Sequence, residues 1–477
     1  MTAARHTRIA LSVAALLALA GCAAPDMDAA MRDASALAAP VAGQATAQLA
    51  REQTQRDAAA KLAGELLAKP LTADGAVALA LANSPAFQAA LADRWGELAA
   101  ARQRGLPGGV SFSFERLREG SDLELGRLLS VGLFDLLTLP RRARVAQVEA
   151  DQVRVRMAAS IVEQASAARR AWIDAVAAHE IETYATQVKD AAEASAELAR
   201  RMQQVGNFTK LQAARQHLFY ADASSRLAAA RQAAVATRES LVRQLGLTDA
   251  QSRELKLPAR LTDLPASPKS PEEVSIAFAA QRLDMRIARL ELEAAGRARG
   301  LDLASHLVDA ELGARRDTHF AGSGAKSTTR GWELDLRLPL FDWGATRKAA
   351  LDARTLAAIQ RHEAVLRAAG SQARERYAAY RAAYDIAQHQ RKELVPLRKT
   401  ISDENLLRYN GMLIGVFELL ADARDQISGV IAAIESQRDF WHADAALAST
   451  LIGRPQAGAE SSPSKREGPA TGAEDKH

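Results

Sequence analysis

Glu418, Asp422 and Asp425 stand four and then three residues apart, a spacing that puts three carboxylates on one face of a helix. Carboxylates held so close repel one another and draw in cations. The same spacing suits an ordinary solvated face, because acids near a helix start complement the positive end of its dipole. Both readings stand at this point. Little else in the chain assembles a chemistry. His179, His217, His306, His319, His362 and His389 are scattered without metal-ligand spacing, and there is no P-loop, nucleophile elbow or zinc signature. The expectation is a protein that is not an enzyme and has no cofactor and no metal site.

A second chemically telling residue is Cys22, the only cysteine. With one cysteine, neither an intrachain disulfide nor a cysteine metal cluster can form. Arg5, His6 and Arg8 precede an apolar run from Ile9 to Ala20, which is too short to cross a bilayer as a helix and reads as a signal peptide. Leu19-Ala20-Gly21-Cys22 resembles a bacterial lipobox, which makes Cys22 the acylated first residue of the mature chain. In lipoproteins a second residue other than aspartate, here Ala23, implies sorting to the outer membrane. No later stretch is apolar enough for a spanning helix, so any passage through a membrane falls to strands.

The elements that must position these residues come in two copies. Gly206-Asn207-Phe208 and the Leu211, Ala214 and Arg215 that follow match Gly415-Val416-Phe417, Leu420, Ala423 and Arg424 at an offset of 209. Leu133-Phe134-Asp135 matches Leu340-Phe341-Asp342 at 207. Each copy orders a helix (76–104, 272–300), a strand pair, a long helix (141–203, 345–407) and a shorter helix (208–246, 416–451). The long helices reach about 95 Å at about 1.5 Å per residue, and each pair of shorter helices stacked end to end covers one of them. Tyr184, Val188, Ala191, Ser195, Leu198 and Met202 step by fours and threes, as do Tyr377, Tyr380, Tyr384, Ala387, Arg391 and Leu394, and again Leu420, Ile427, Ile431, Ile434 and Trp441. These are coiled-coil seams. The division is a signal peptide (1–21), a lipidated N-terminal arm, extended with some helix (22–70), a first repeat (71–246), a proline-rich linker (247–271), a second repeat (272–454) and a disordered tail (455–477).

Trp332 to Leu340 alternates apolar and polar residues without a break, and Val110, Phe112 and Phe114 alternate with Ser111, Ser113 and Glu115. Leu123, Leu125, Val131 and Leu133 mark a further strand, and 303–315 a weaker one. No spare segment exists to cover the apolar face, and apolar-out, polar-in strands are the mark of an outer-membrane barrel. Four strands cannot close alone, so a barrel requires several chains. Composition agrees with packed helices: 5% aromatic, 25% charged, and a net charge of only +5 with both signs interleaved, which does not suggest a nucleic-acid partner.

Together these segments resemble the TolC family of outer-membrane efflux proteins, in its lipid-anchored branch. The resemblance lies in Leu338-Pro339-Leu340-Phe341-Asp342-Trp343-Gly344, Arg282-Leu283-Asp284-Met285, and Arg408-Tyr409-Asn410-Gly411 followed by Phe417-Glu418-Leu419-Leu420. It implies a mainly α chain with a small β part, whose duplicated coiled-coil hairpins form a periplasmic tunnel. It implies a homotrimer in which each chain gives four strands to one 12-stranded barrel. It further implies passive export, with a periplasmic adaptor and an inner-membrane pump as partners and outer-membrane lipid around the barrel. The adaptor would meet the helix tips at Gly206, Asn207, Gly411 and Gly415, and Asp422 best matches a gate aspartate. The competing reading is a lipid-anchored periplasmic coiled-coil scaffold or adaptor without conduction.

Overall fold

The computed structural model describes residues 26–279, 282–305, 309–337 and 345–454. The segment expected to be a signal peptide, with Cys22, and His306, residues 338–344 and residues 455–477 lie outside them.

The first repeat opens with α3 (Ala73–Asn83) and α4 (Pro85–Arg104), bent by 56° at Ser84. One helix over 76–104 is expected from periodicity, but Pro85 has no N–H to continue the ladder and restricts Ser84 to extended backbone. Strands β1 (Ser111–Glu119) and β2 (Asp122–Gly132) follow, then the uninterrupted α5 (Leu133–Gln204), 72 residues and on the order of 100 Å long, and α6 (Lys210–Leu245). The second repeat runs α8 (Pro271–Ala279), α9 (Leu283–Ser305), β3 (Asp309–Phe320), β4 (Lys326–Arg337), α10 (Ala345–His389), a π turn (Gln390–Leu394), α11 (Val395–Asn410) and α12 (Val416–Leu451). Among the described residues no single helix is long and apolar enough to cross a membrane.

The two elbows are built alike. In the first, Asn83 Nδ2 donates to the carbonyls of Leu245 and Gly246 at 3.3 and 2.9 Å. Gly246 is left-handed at φ +66°, and Pro85 and Ser84 occupy the space a Cβ would take. In the second, Leu283 N donates to Ile452 O at 2.9 Å, and left-handed Gly453 packs in the same way on Arg282 and Asp284. Arg282 is almost wholly buried and forks onto Asp284 through Nε and Nη2 at 3.0 and 2.7 Å.

Residues 26–70 are more helical and more buried than an extended arm with some helix. They form α1 (Met27–Ala42) and α2 (Gln53–Leu67), and Met27, Met31, Ala34, Ala38 and Val41 are buried. Those positions step by 4-3-4-3, so α1 is a further helix laid into the bundle. The proline-rich linker also packs. It contains α7 (Asp249–Glu254), Leu255 and Leu261 are buried, and Leu71 N donates to Lys256 O at 2.9 Å. Trp172 of α5 donates its indole N–H to Leu71 O at 2.7 Å, which locks this belt to the longest helix.

The seam between α5 and α6 lies one residue from its expected phase. Ala185, Ala192, Ala196 and Ala199 are buried there, while Leu198 is exposed. Small side chains let the two backbones approach closely, and the larger residues beside them remain on the outside. In α10, Tyr380, Tyr384 and Ala387 are buried against Phe440, as their spacing requires.

Candidate functional site: hairpin tips and an open sheet

The four strands make one antiparallel sheet in the order β1-β2-β3-β4. The hairpin turns at Gly120 and Gly324 lie at the end away from the helices, and both glycines have positive φ. The register sorts the side chains onto two faces. Phe112, Leu129, Ala314 and Trp332 are successive partners on one face, and Val131, Leu312 and Leu334 form the row toward the helices. This face is open: Phe112 is 65% and Trp332 76% exposed. On the other face Arg315 lies among carboxylates, with Nε 2.9 Å from Asp317, Nη1 3.6 Å from Glu333 and Nη2 4.0 Å from Glu115. His319 Nε2 is 3.2 Å from Glu124 there. Strands β1 and β4 are the sheet's edges, each with a row of unpaired backbone groups. The weak strand expected at 303–315 runs over 309–320, and Leu133 starts α5 instead of ending β2.

At the opposite end of the helices lie two turnarounds. In the first, Gly206 takes φ +82° and Asn207 N donates to Met202 O at 2.8 Å. Thr209 then caps α6 reciprocally with Gln212: Gln212 N donates to Thr209 Oγ1 at 3.2 Å, and Thr209 N donates to Gln212 Oε1 at 2.8 Å. Two-pronged hydrogen bonds from Arg200, and a further one from Arg201, hold the Glu197 carboxyl at about 2, below the usual carboxylate range. In the second turnaround Leu413 N donates to Arg408 O at 2.8 Å, and Met412 takes the left-handed position at φ +60°. Hydrogen bonding therefore pairs Gly206 with Met412 and Thr209 with Gly415, an offset of 206. The offset of 209 drawn from the sequence pairs Gly206 with Gly415, which is instead the N-cap of α12 and has no side chain to cap with. Gly411 closes α11 at φ −78°. Val205, Leu211, Met412 and Leu413 are all exposed, and Met412 reaches 92%.

The acidic cluster occupies the first turns of α12. Glu418 and Asp425 are exposed. Asp422 is half-buried, and its Oδ2 is out of solvent with no hydrogen-bond partner among the described residues. Beside the cluster, Arg398 of α11 donates from Nη1 to the Asp425 carbonyl at 2.7 Å. It reaches that carbonyl across Gly429, where a Cβ would collide with the guanidinium. Arg424 Nη2 lies 3.6 Å from Asp222 and its guanidinium 5.4 Å from the Phe219 ring, tying α12 to α6.

Sequence reading of 345–407 as one helix misses the π turn at 390–394. Its signal is Pro396, which cannot donate to the ladder and crowds the carbonyl four residues back; one wide turn relieves both. The turn is anchored from outside by Arg391 Nη2 on Asp263 at 2.8 Å.

No family model and no curated protein sequence matches the chain. Solved structures do. The outer membrane protein VceC of Vibrio cholerae matches with a TM-score of 0.66 at 17% identity, over 80% of this chain and 96% of that one. The CmeC outer membrane channel of Campylobacter jejuni matches at 0.65 and 16%, over 80% and 85%. The MtrE outer membrane channel of Neisseria gonorrhoeae, in its open state, matches at 0.55 and 18%, over 80% and 89%. The fold, paired full-length helical hairpins with a four-stranded sheet at one end, is that of the outer-membrane channels.

Proposed function

We propose that three copies of this chain form a passive outer-membrane exit duct. An adaptor bound at the helix tips would connect it to an inner-membrane pump, and Cys22 would anchor each chain by lipid. The observation that carries the reading is the sheet. It has one open apolar face, one ion-paired polar face and two free edges, and it stands at the end of helices tall enough to extend far below a membrane. Edge-to-edge pairing of β1 with β4 of a neighbour would satisfy the edges, put Trp332 and Phe112 in lipid and close a water-filled lumen. Exposed Leu218, Val235, Leu397 and Ile401 on the helices supply apolar sides for the same neighbours. The tips add exposed Val205, Leu211, Met412 and Leu413, an apolar surface that suits an adaptor's helical hairpin.

In the trimer the Glu418, Asp422 and Asp425 faces would converge on the axis and hold the narrow end by charge. Planar-bilayer conductance of the detergent-extracted protein tests the duct. A trimeric mass with discrete conductance supports it, and a protein that neither trimerises nor conducts supports the scaffold reading. Within a conducting trimer, Glu418→Ala with Asp422→Ala raises leak or lowers cation selectivity; unchanged leak and selectivity would remove the acidic cluster from the gate.

A further inference from the structure

The sheet segregates charge by face. By register, its acidic residues fall on the polar face, from Glu115 on β1 to Asp335 on β4. The apolar face holds no carboxylate, yet it bears Arg116, Arg118, Arg127, Arg316, Lys326 and Arg330. Three of these are aligned. Arg127 is the partner of Arg316, and Arg316 the partner of Arg330, so three guanidinium groups leave neighbouring strands side by side. Like charges directly opposite on one face destabilise a sheet. On the other face the equivalent problem is solved internally, because Arg315 is surrounded by Glu115, Asp317 and Glu333. Among the described residues no ion pair does this for Arg127, Arg316 or Arg330. An anion from outside the chain would relieve that repulsion.

The height of the row says what that anion is. The Arg127–Arg316–Arg330 row lies one step beyond the Leu129–Ala314–Trp332 row, on the side of the Gly120 and Gly324 turns. From Trp332 the strand runs six residues toward the helices, to Arg337. At about 3.4 Å per residue and a tilt near 40°, that stretch covers on the order of 15 Å, more than half of the ~25 Å apolar band of outer-membrane barrels. Trp332 then stands at the band's outer margin, where aromatic residues gather. The arginines stand just above it, at the level of lipid headgroups and on the side away from the periplasmic helices. Guanidinium groups bind phosphate oxygens in pairs of parallel hydrogen bonds.

We propose that Arg127, Arg316 and Arg330 form a belt that binds the phosphate groups of outer-leaflet lipid. The belt rests on the outer-membrane reading above, and the experiment separates the two. Full-length trimer in detergent is titrated with phosphorylated lipid A and with its dephosphorylated form, read by native mass spectrometry. The wild type binds the phosphorylated form about tenfold or more tightly. Arg127→Gln with Arg316→Gln and Arg330→Gln abolishes that preference while helicity and bilayer conductance persist. The matching Arg→Lys triple keeps charge without the fork and retains part of the preference. If the glutamine triple does not fold, the single exposed change Arg330→Gln still weakens phosphorylated lipid about threefold. Millimolar inorganic phosphate does not displace the lipid.

A wild type without preference overturns the belt, as does a glutamine variant that keeps it or full displacement by inorganic phosphate. If those results come from a protein that conducts in bilayers, the duct reading survives and only the belt falls. A wild type that enters no bilayer removes both.

Discussion

Arg398 and Gly429 define a coupling that a small set of variants can measure. The guanidinium of Arg398 lies in the notch left by the missing Gly429 side chain and donates to the Asp425 carbonyl at 2.7 Å. It is one of two polar ties between α11 and α12 beside the acidic cluster, the other being Ser402 Oγ donating to Gln426 Oε1 at 3.1 Å. A hydrogen bond from a charged donor is worth about 1.5–3 kcal/mol when sheltered, and this one is exposed, so about 1 kcal/mol is its upper value. That is about a fivefold shift in the balance between a closed and an opened second hairpin. Arg398→Ala is therefore expected to raise leak conductance of the reconstituted trimer severalfold, with a small loss of thermal stability. Gly429→Ala leaves Arg398 in place but puts a methyl where its guanidinium lies, so it should produce much of the same leak. The decisive measurement is the double variant. If the notch works only through Arg398, then Arg398→Ala with Gly429→Ala leaks no more than Arg398→Ala alone. Additive leaks, or two single variants as tight as wild type, would refute the coupling.

Asp284→Asn should cost about 3 kcal/mol, because it leaves the buried Arg282 guanidinium without its counter-charge, whereas Arg282→Met with Asp284→Ala should recover most of the loss. Hydrogen exchange at the amides of α9 reads it, and a loss equal to or above the single variant's in the double would contradict it. Met412→Gly relieves a left-handed non-glycine residue, a gain of about 1 kcal/mol in thermal or denaturant unfolding. Its exposed side chain also leaves the tip, so adaptor affinity falls even as stability rises; opposite signs in the two assays are the expected signature. Burial pushes the Glu180 carboxyl upward, only partly offset by Leu261 N donating to Oε2 at 3.3 Å. A raised carboxyl makes the folded chain bind protons more readily than the unfolded one, so stability falls as pH rises from the ordinary glutamate value through the raised one. Glu180→Gln keeps an acceptor for Leu261 and should flatten that part of the pH–stability curve; an unchanged curve would assign the slope elsewhere.

What the sequence showed most clearly was what repeats with a fixed period. Trp332 to Arg337 alternates along β4 as expected, and Tyr380, Tyr384 and Ala387 face the core, because both patterns reflect burial on one side of a regular element. The breaks were legible only as single residues. Pro85 and Pro396 each carry their signal, yet a periodic pattern that continues on both sides hides it. α1 was hidden in another way. Its buried positions include small alanines among other alanines, so the 4-3-4-3 stripe through Met27, Met31 and Val41 has low contrast. The tip correspondence went astray because shared glycines were matched as letters. A left-handed turn position and an N-cap both accept glycine, for unrelated reasons, and hydrogen bonds alone separate them. The arginine row was not legible at all from one strand, since it exists only once three strands are set in register.

The two repeats share a plan, but their long helices, turns and caps are built differently. The first hairpin has one continuous 72-residue helix, a left-handed glycine at its turn and a reciprocal cap on Thr209 and Gln212. The linker serves both hairpins: Leu255 and Leu261 are buried in the cluster that holds Trp172, and linker carbonyls accept from Tyr384, Gln437 and Trp441 of the second hairpin. At the helix, the turn and the cap the second hairpin is less regular: a π turn before Pro396, Met412 in a left-handed conformation, and Gly415 as an N-cap with no side chain. Local opening is cheapest where hydrogen bonding is irregular and caps are missing. The acidic face of Glu418, Asp422 and Asp425 belongs to this second hairpin, so the groups proposed to hold the channel's narrow end are mounted on the copy that yields first. In the proposed duct the first repeat would supply the stiffer wall and the second the more yielding one, with Arg398 on the Asp425 carbonyl and Ser402 on Gln426 as the ties between its two helices.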